Sequence, residues 1–137
     1  MFFLLLIVII PGIYRLNNPG NIPSAQDDIP KSIERGKEVY SINCLGCHQS
    51  NGEGLSGVYP PLAKSDHLTK DQSNSIRIIL KGQDEEITVN GTQYNTPMAP
   101  LSQLTDQQIA DVLNYVGNNW GNHFNSVDPT QVKARRE

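Results

Sequence analysis

The chain has 137 residues, with 14 Asp and Glu against 11 Lys and Arg and a formal charge of −3. That length holds one ordinary domain. An acidic chain whose sole basic cluster is Lys133, Arg135 and Arg136 at the tail argues against nucleic acid as a partner, and the cluster reads as a solvated helix face.

Residues 1 to 10, "MFFLLLIVII", are apolar without a break. A bilayer span takes about 20 residues, whereas the apolar core of a secretory signal takes about 7 to 15. No Lys or Arg precedes the run, and the nearest approach to a cleavage site is Pro23-Ser24-Ala25. Two readings stay open, a cleaved signal and the end of a membrane anchor. Both put the protein outside the cytoplasm, in the periplasm or tethered to the membrane. The following stretch is rich in Pro, Gly, Asn and Asp, as linkers are. The expected organisation is a signal or anchor segment over 1–14, a linker over 15–30 and a folded domain over 31–137.

Within the domain, the pattern from Ile33 to Asn43 predicts a helix with Ile33, Gly36, Val39 and Tyr40 on one side. "SNGEGLSGVYPPL" (50–62) is too rich in Gly and Pro to be anything but a loop. Its glycines lack the Lys and the following helix of a phosphate loop. "SNSIRIILKG" (73–82) predicts a helix with Ile76, Ile79 and Leu80 inward and Gly82 as its stop. "ITVNGTQY" (87–94) alternates about Asn90-Gly91, the pattern of a hairpin on a type I′ turn. Thr105 and Gln108 form a capping box, with Leu104 and Ile109 as a staple, for a helix carrying Ile109, Val112, Leu113 and Val116. Asp128 followed by Pro129 starts a last short helix. The domain is expected to be mostly helical with one small hairpin. Trp120 and Phe124 are expected to pack the C-terminal segment.

Both cysteines and one of the three histidines fall within "CLGCH" (44–48). In a helical turn Cys44, Cys47 and His48 stand at i, i+3 and i+4 and share a face. Two thiols so placed can add to the two vinyl groups of one haem, with the imidazole aimed at its iron. C-x-x-C-H is the signal for such attachment. A zinc site wants four ligands, and His67 and His123 form no pair at ligand spacing. A thioredoxin-like C-x-x-C opens a helix in a parallel α/β fold, whereas this one ends a helix. A plain disulfide leaves His48 unexplained.

With His48 as one axial ligand of the iron, Met98 is the favoured second. It is the sole methionine besides Met1, and Pro97 and Pro100 stiffen its loop. His67, His123 and an open sixth position are the alternatives; both histidines read as surface residues. A thioether favours ferrous iron and raises the reduction potential.

Taken together, residues 31–137 resemble a class I monohaem cytochrome c. Gly36 and Tyr40 match the Gly and aromatic of that family's first helix, and Val112, Leu113 and Tyr115 match the last helix that crosses it. "YPPL" resembles the loop whose proline carbonyl accepts a hydrogen bond from the proximal imidazole, which falls on Pro60, or else on Pro61. "GVYPPLAKSD" and "ITVNGTQYNTPMAPL" are similar to cytochrome c modules found beside copper nitrite reductases and membrane-bound alcohol or sugar dehydrogenases, although those carry M-P-P where this chain has Met98-Ala99-Pro100. The resemblance implies an all-α class I cytochrome c fold with a small hairpin before the methionine loop. It implies one covalent haem c held by Cys44 and Cys47, iron bound by His48 and Met98, and no catalytic residues. The expected function is one-electron transfer between redox proteins such as a dehydrogenase, reductase or oxidase. A haem sensor with a labile sixth ligand and a thiol–disulfide oxidoreductase are the competing readings.

Overall fold

The computed structural model describes residues 29–137. The expected signal or anchor segment and nearly all of the linker lie outside the described residues. The elements, in chain order, are α1 (Ile29–Asn43), α2 (Leu45–His48), α3 (Asp66–Lys70), α4 (Gln72–Lys81), β1 (Ile87–Val89), β2 (Thr92–Tyr94), α5 (Asp106–Gly117) and α6 (Pro129–Lys133). The domain is mostly helical with one two-stranded antiparallel sheet.

Ser32, Gly36, Val39 and Tyr40 are the buried residues of α1. Their spacing of i, i+4, i+7 and i+8 makes one stripe. The helix begins two residues before the domain boundary at 31 read from the sequence. Pro30 sits in its first turn, where a missing N–H costs nothing. The stripe faces α5, and Gly36 is where the two backbones meet. A Cβ there would lie 2.0 Å from the Asp111 carbonyl oxygen and 2.8 Å from Tyr115 Cβ.

The capping box on α5 is formed in both directions. Gln108 N donates to Thr105 Oγ1 at 3.1 Å, and Thr105 N donates to Gln108 Oε1 at 2.9 Å. Ile109, Val112, Leu113 and Val116 are all buried in the core they share with Leu104, Ile76 and Leu80. Ile109 and Val132 are fully enclosed, and each such side chain contributes on the order of 1.5–3 kcal/mol. α6 starts on Asp128 with a capping box of its own to Gln131.

The α1–α5 contact also encloses polar groups. Asp111, with its side chain 2% exposed, accepts from Arg35 Nε at 2.7 Å and Ser32 Oγ at 2.6 Å. Arg35 Nη2 and Gln107 Nε2 donate to it at 2.8 and 2.9 Å. Asn114 Nδ2 donates to Ser32 Oγ and to the Val127 carbonyl, both at 2.9 Å. The network ties α1, α5 and the segment before α6 into one unit.

One element is new and two sequence expectations change. The sequence predicts no element at α3; five residues are too few to show a period, and its sign is Ser65, whose side chain accepts from Leu68 N. Trp120 packs on the rings of Tyr40 and Tyr115, with centroids 5.1 and 5.4 Å away, so it braces α1 as well as the C-terminal segment. Arg136 is not simply solvated. It pairs with Asp106 and donates to the Ser102 and Leu104 carbonyls, holding the tail against the start of α5.

Two tests follow from this packing. Gly36→Val should cost about 1–3 kcal/mol by overpacking a backbone contact that has no room to yield. An unchanged denaturant midpoint would remove the crossing from Gly36. For Asp111, burial raises the carboxyl pKa, but the bonds from Arg35, Ser32 and Gln107 outweigh it and the net shift is downward. A pKa lowered on folding gives stability that is present above the unfolded value and lost as pH falls through the folded one. Asp111→Asn should therefore cost about 1.5–3 kcal/mol at neutral pH and flatten the acid limb of the stability curve. An acid limb as steep as the parent's would contradict this.

Candidate functional site

α1 delivers the cysteines. At its end the chain turns once more: Cys44 N donates to the Tyr40 carbonyl at 2.9 Å, and His48 N to the Cys44 carbonyl at 2.9 Å. Cys44 and Cys47 are both free, the first half-buried and the second exposed. Burial pushes the Cys44 thiol up to about 11, with Cys47 adding to the effect. The Tyr40 hydroxyl donates to the Gln49 carbonyl at 2.6 Å, which pins the far end of the turn to α1.

His48 Nδ1 lies 3.0 Å from the Pro60 carbonyl oxygen. A carbonyl can only accept, so Nδ1 carries the proton and Nε2 keeps its lone pair. Burial lowers the His48 pKa, with the Pro60 bond acting against it, so the ring stays neutral near pH 7. Pro61 instead lines a shallow surface cavity of about 720 Å³, together with Asn51, Glu53, Lys64 and Asn90. That cavity touches none of Cys44, Cys47, His48 or Met98.

Met98 lies in the loop between β2 and α5. Its backbone makes a two-bond bridge with Gln83: Met98 N donates to the Gln83 carbonyl at 2.7 Å, and Gln83 N to the Met98 carbonyl at 3.0 Å. Leu101 N donates to the Ile79 carbonyl at 2.7 Å, fixing the loop three residues on. Gly82 has φ 79°, and a Cβ there would lie 2.6 Å from the Met98 carbonyl oxygen. Glycine is needed at 82 both as the stop of α4 and for this close approach. The sequence shows Gly82 only as a helix stop. Gln83 acts through its backbone and leaves no signal at all.

The hairpin before Met98 turns through Asn90 and Gly91 at φ 50° and 81°, as a type I′ turn requires. Val89 and Tyr94 are buried at 2% and 5% exposure, yet neither belongs to the core cluster built on α1 and α5. The hairpin therefore buries apolar surface apart from the main core. Among the other sequence candidates, His123 is exposed. His67 is not a plain surface residue: its Nε2 is buried. No group of three or more His, Cys, Asp and Glu among the described residues could hold a metal ion.

The donor set fits a covalently held haem. Two unpaired thiols and an imidazole with a free Nε2 share one turn, and a half-buried thioether stands in the pinned loop after the hairpin. The comparisons with known proteins agree. The sequence profile described as cytochrome c matches residues 33–120, and the chain belongs to the cytochrome c family. It is 40% identical over 90 residues to cytochrome c-552 of Thermus thermophilus, covering 63% of this chain and 68% of that protein. It is 31% identical over 96 residues to the cytochrome c subunit of a quinone alcohol dehydrogenase of Gluconobacter oxydans, covering 64% of this chain but only 19% of the subunit. To the fructose dehydrogenase cytochrome subunit of Gluconobacter japonicus it is 31% identical over 131 residues, 92% of this chain and 26% of the subunit. The protein is an electron-transfer cytochrome carrying covalent haem c, and it exchanges electrons with redox proteins without catalysing a reaction of its own. The thiol–disulfide and ligand-sensor readings gain no support from these relatives.

Proposed function

We propose that Cys44 and Cys47 would hold the haem through two thioether links, that His48 Nε2 and Met98 Sδ would be its iron ligands, and that the Pro60 carbonyl sets the His48 ring. The observation that carries this reading is the His48–Pro60 contact of 3.0 Å. It fixes the tautomer, leaving Nε2 as a donor to a metal, as partners behind a ligating histidine do. The bound haem iron supplies a one-electron couple between its ferrous and ferric states. The chain holds both ligands in place through that change. Its rigid parts are the Tyr40–Gln49 bond behind His48 and the Gln83 bridge behind Met98.

The exposed apolar side chains support a place for electron exit. Ile42, Leu45, Leu55 and Val58 are 82%, 40%, 53% and 38% exposed. Leu45 lies between the two cysteines, and the others lie on the chain segments before and after Cys44–His48. A partner docking there would approach the haem edge nearest the thioethers. The reading extends to location: residues 1–14 act as a signal or membrane anchor, 15–30 as a linker, and the domain works outside the cytoplasm on electrons from a dehydrogenase or toward a reductase or oxidase. No helix among the described residues is long and apolar enough to cross a membrane, so a tether would rest on the N-terminal run.

Met98→Ala should leave the haem attached, since Cys44, Cys47 and His48 are untouched. It should turn the iron high-spin or water-bound, open it to carbon monoxide and lower the reduction potential. A parental spectrum in Met98→Ala together with its loss in His123→Ala would overturn the ligand assignment. Deleting residues 1–14 should yield colourless, cytosolic chain, because the thiols would not meet haem outside the cytoplasm. Red holoprotein from that deletion would refute export.

A further inference from the structure

Asn122 is a buried amide, 3% exposed, just past the end of α5. Its Nδ2 donates to two main-chain carbonyls, those of Val116 and Leu62, at 2.9 Å each. The first bond is local. The second reaches 60 residues back along the chain, to the segment that carries Pro60. The backbone leading to Asn122 has an uncommon shape: Trp120 has φ 53° and Gly121 φ 81°. A left-handed conformation is unfavourable for a side chain as large as Trp, and it persists only where the surroundings impose it. Here the indole is packed on Tyr40 and Tyr115, and against Gly52, where a Cβ would lie 2.5 Å from the ring. The turn closes with Asn122 N donating to the Asn119 carbonyl at 2.9 Å.

Leu62 is two residues from Pro60, and both of its main-chain groups are engaged. Its N–H donates to the Gly52 carbonyl at 2.8 Å, which also accepts from Ala63 N at 2.9 Å. Its carbonyl accepts from Asn122. Gly54 confines the same loop: a Cβ there would lie 2.7 Å from the Pro60 carbonyl oxygen and 2.3 Å from that of Tyr59. Gly54 N donates to the His48 carbonyl at 3.0 Å. Pro60 has no N–H to anchor it, and its carbonyl is the group that His48 Nδ1 meets at 3.0 Å. Among these bonds, the one from Asn122 alone comes from the C-terminal part of the chain. It ties the loop around that carbonyl to α5, and so to the helix crossing at Gly36.

We propose that Asn122 is a positioning residue for His48: by holding Leu62 it keeps the Pro60 carbonyl in line with the His48 Nδ1–H. The inference rests on the reading of His48 as an iron ligand. A carbonyl behind a ligating histidine fixes its ring and makes it a more basic ligand, which favours the ferric state. Loss of Asn122 frees the Leu62 carbonyl, lets Pro60 drift and weakens the bond. The reduction potential then rises.

The test compares 15N-labelled ferrous holoprotein with Asn122→Ala, Asn122→Ser and a control for lost stability, Thr105→Ala, which removes the cap of α5 instead. In Asn122→Ala the His48 Nδ1 proton should exchange at least about tenfold faster than in the parent, and the potential should rise. Asn122→Ser, whose hydroxyl can still donate, should recover part of both. Thr105→Ala should leave the potential where it is. Parental exchange and potential in Asn122→Ala, or an equal rise in Thr105→Ala, would overturn the proposal. If Asn122→Ala yields no folded holoprotein, the parent decides. Under increasing denaturant below the unfolding transition, the Asn122 Nδ2 and His48 Nδ1 protons should open together; an Asn122 amide that opens while His48 stays protected would overturn the proposal. The ring carbon protons of His48 report the axial reading separately. If the haem shifts them while Asn122→Ala leaves the Nδ1 proton untouched, this proposal alone fails; if they are unshifted, the axial reading fails whatever Asn122 does.

Discussion

The backbone contact between α1 and α5 at Gly36 fixes where everything else can stand. A glycine lets the two helices approach until a Cβ would be 2.0 Å from the opposing carbonyl. The approach encloses Asp111, and the chain answers with bonds from Arg35, Ser32 and Gln107. Breaking such a set leaves a buried charge without partners, which is far more costly than the set is stabilising. Because α1 is held there, its C-terminal turn has one place to put Cys44, Cys47 and His48.

The hairpin and the Met98 loop are built by different means. Their apolar residues Val89 and Tyr94 stand outside the main core, and their connections are backbone bonds: the Gln83 bridge to Met98 and the Leu101 bond to Ile79. On the proposed ligand set, the haem would supply contacts that a domain this small cannot make from its own side chains. Helix packing would then carry the attachment turn, while a short hairpin and a pinned loop would carry the methionine.

Much of this could be read from the sequence. The C-x-x-C-H turn, the Thr105–Gln108 box, the Asn90-Gly91 hairpin and the Gly82 stop each have local chemistry that admits few alternatives, and the structure contains each. Other features lacked a local signature. α3 is too short for a hydrophobic period, and Gln83 works through its main chain. The Asp66–Asn90 pair that holds α3 joins residues 24 apart in the chain. Arg136 reads as one more tail cation until the fold brings it to Asp106. Long-range contacts of this kind follow from topology, not from neighbours in the chain.

The central claim is that the iron is held by one imidazole and one thioether. X-ray absorption at the iron edge of the purified holoprotein tests it without altering a residue. The account predicts one sulfur and five nitrogens around the iron, in both the ferric and the ferrous state. A shell with no sulfur, or one whose sulfur is lost on reduction, would contradict it.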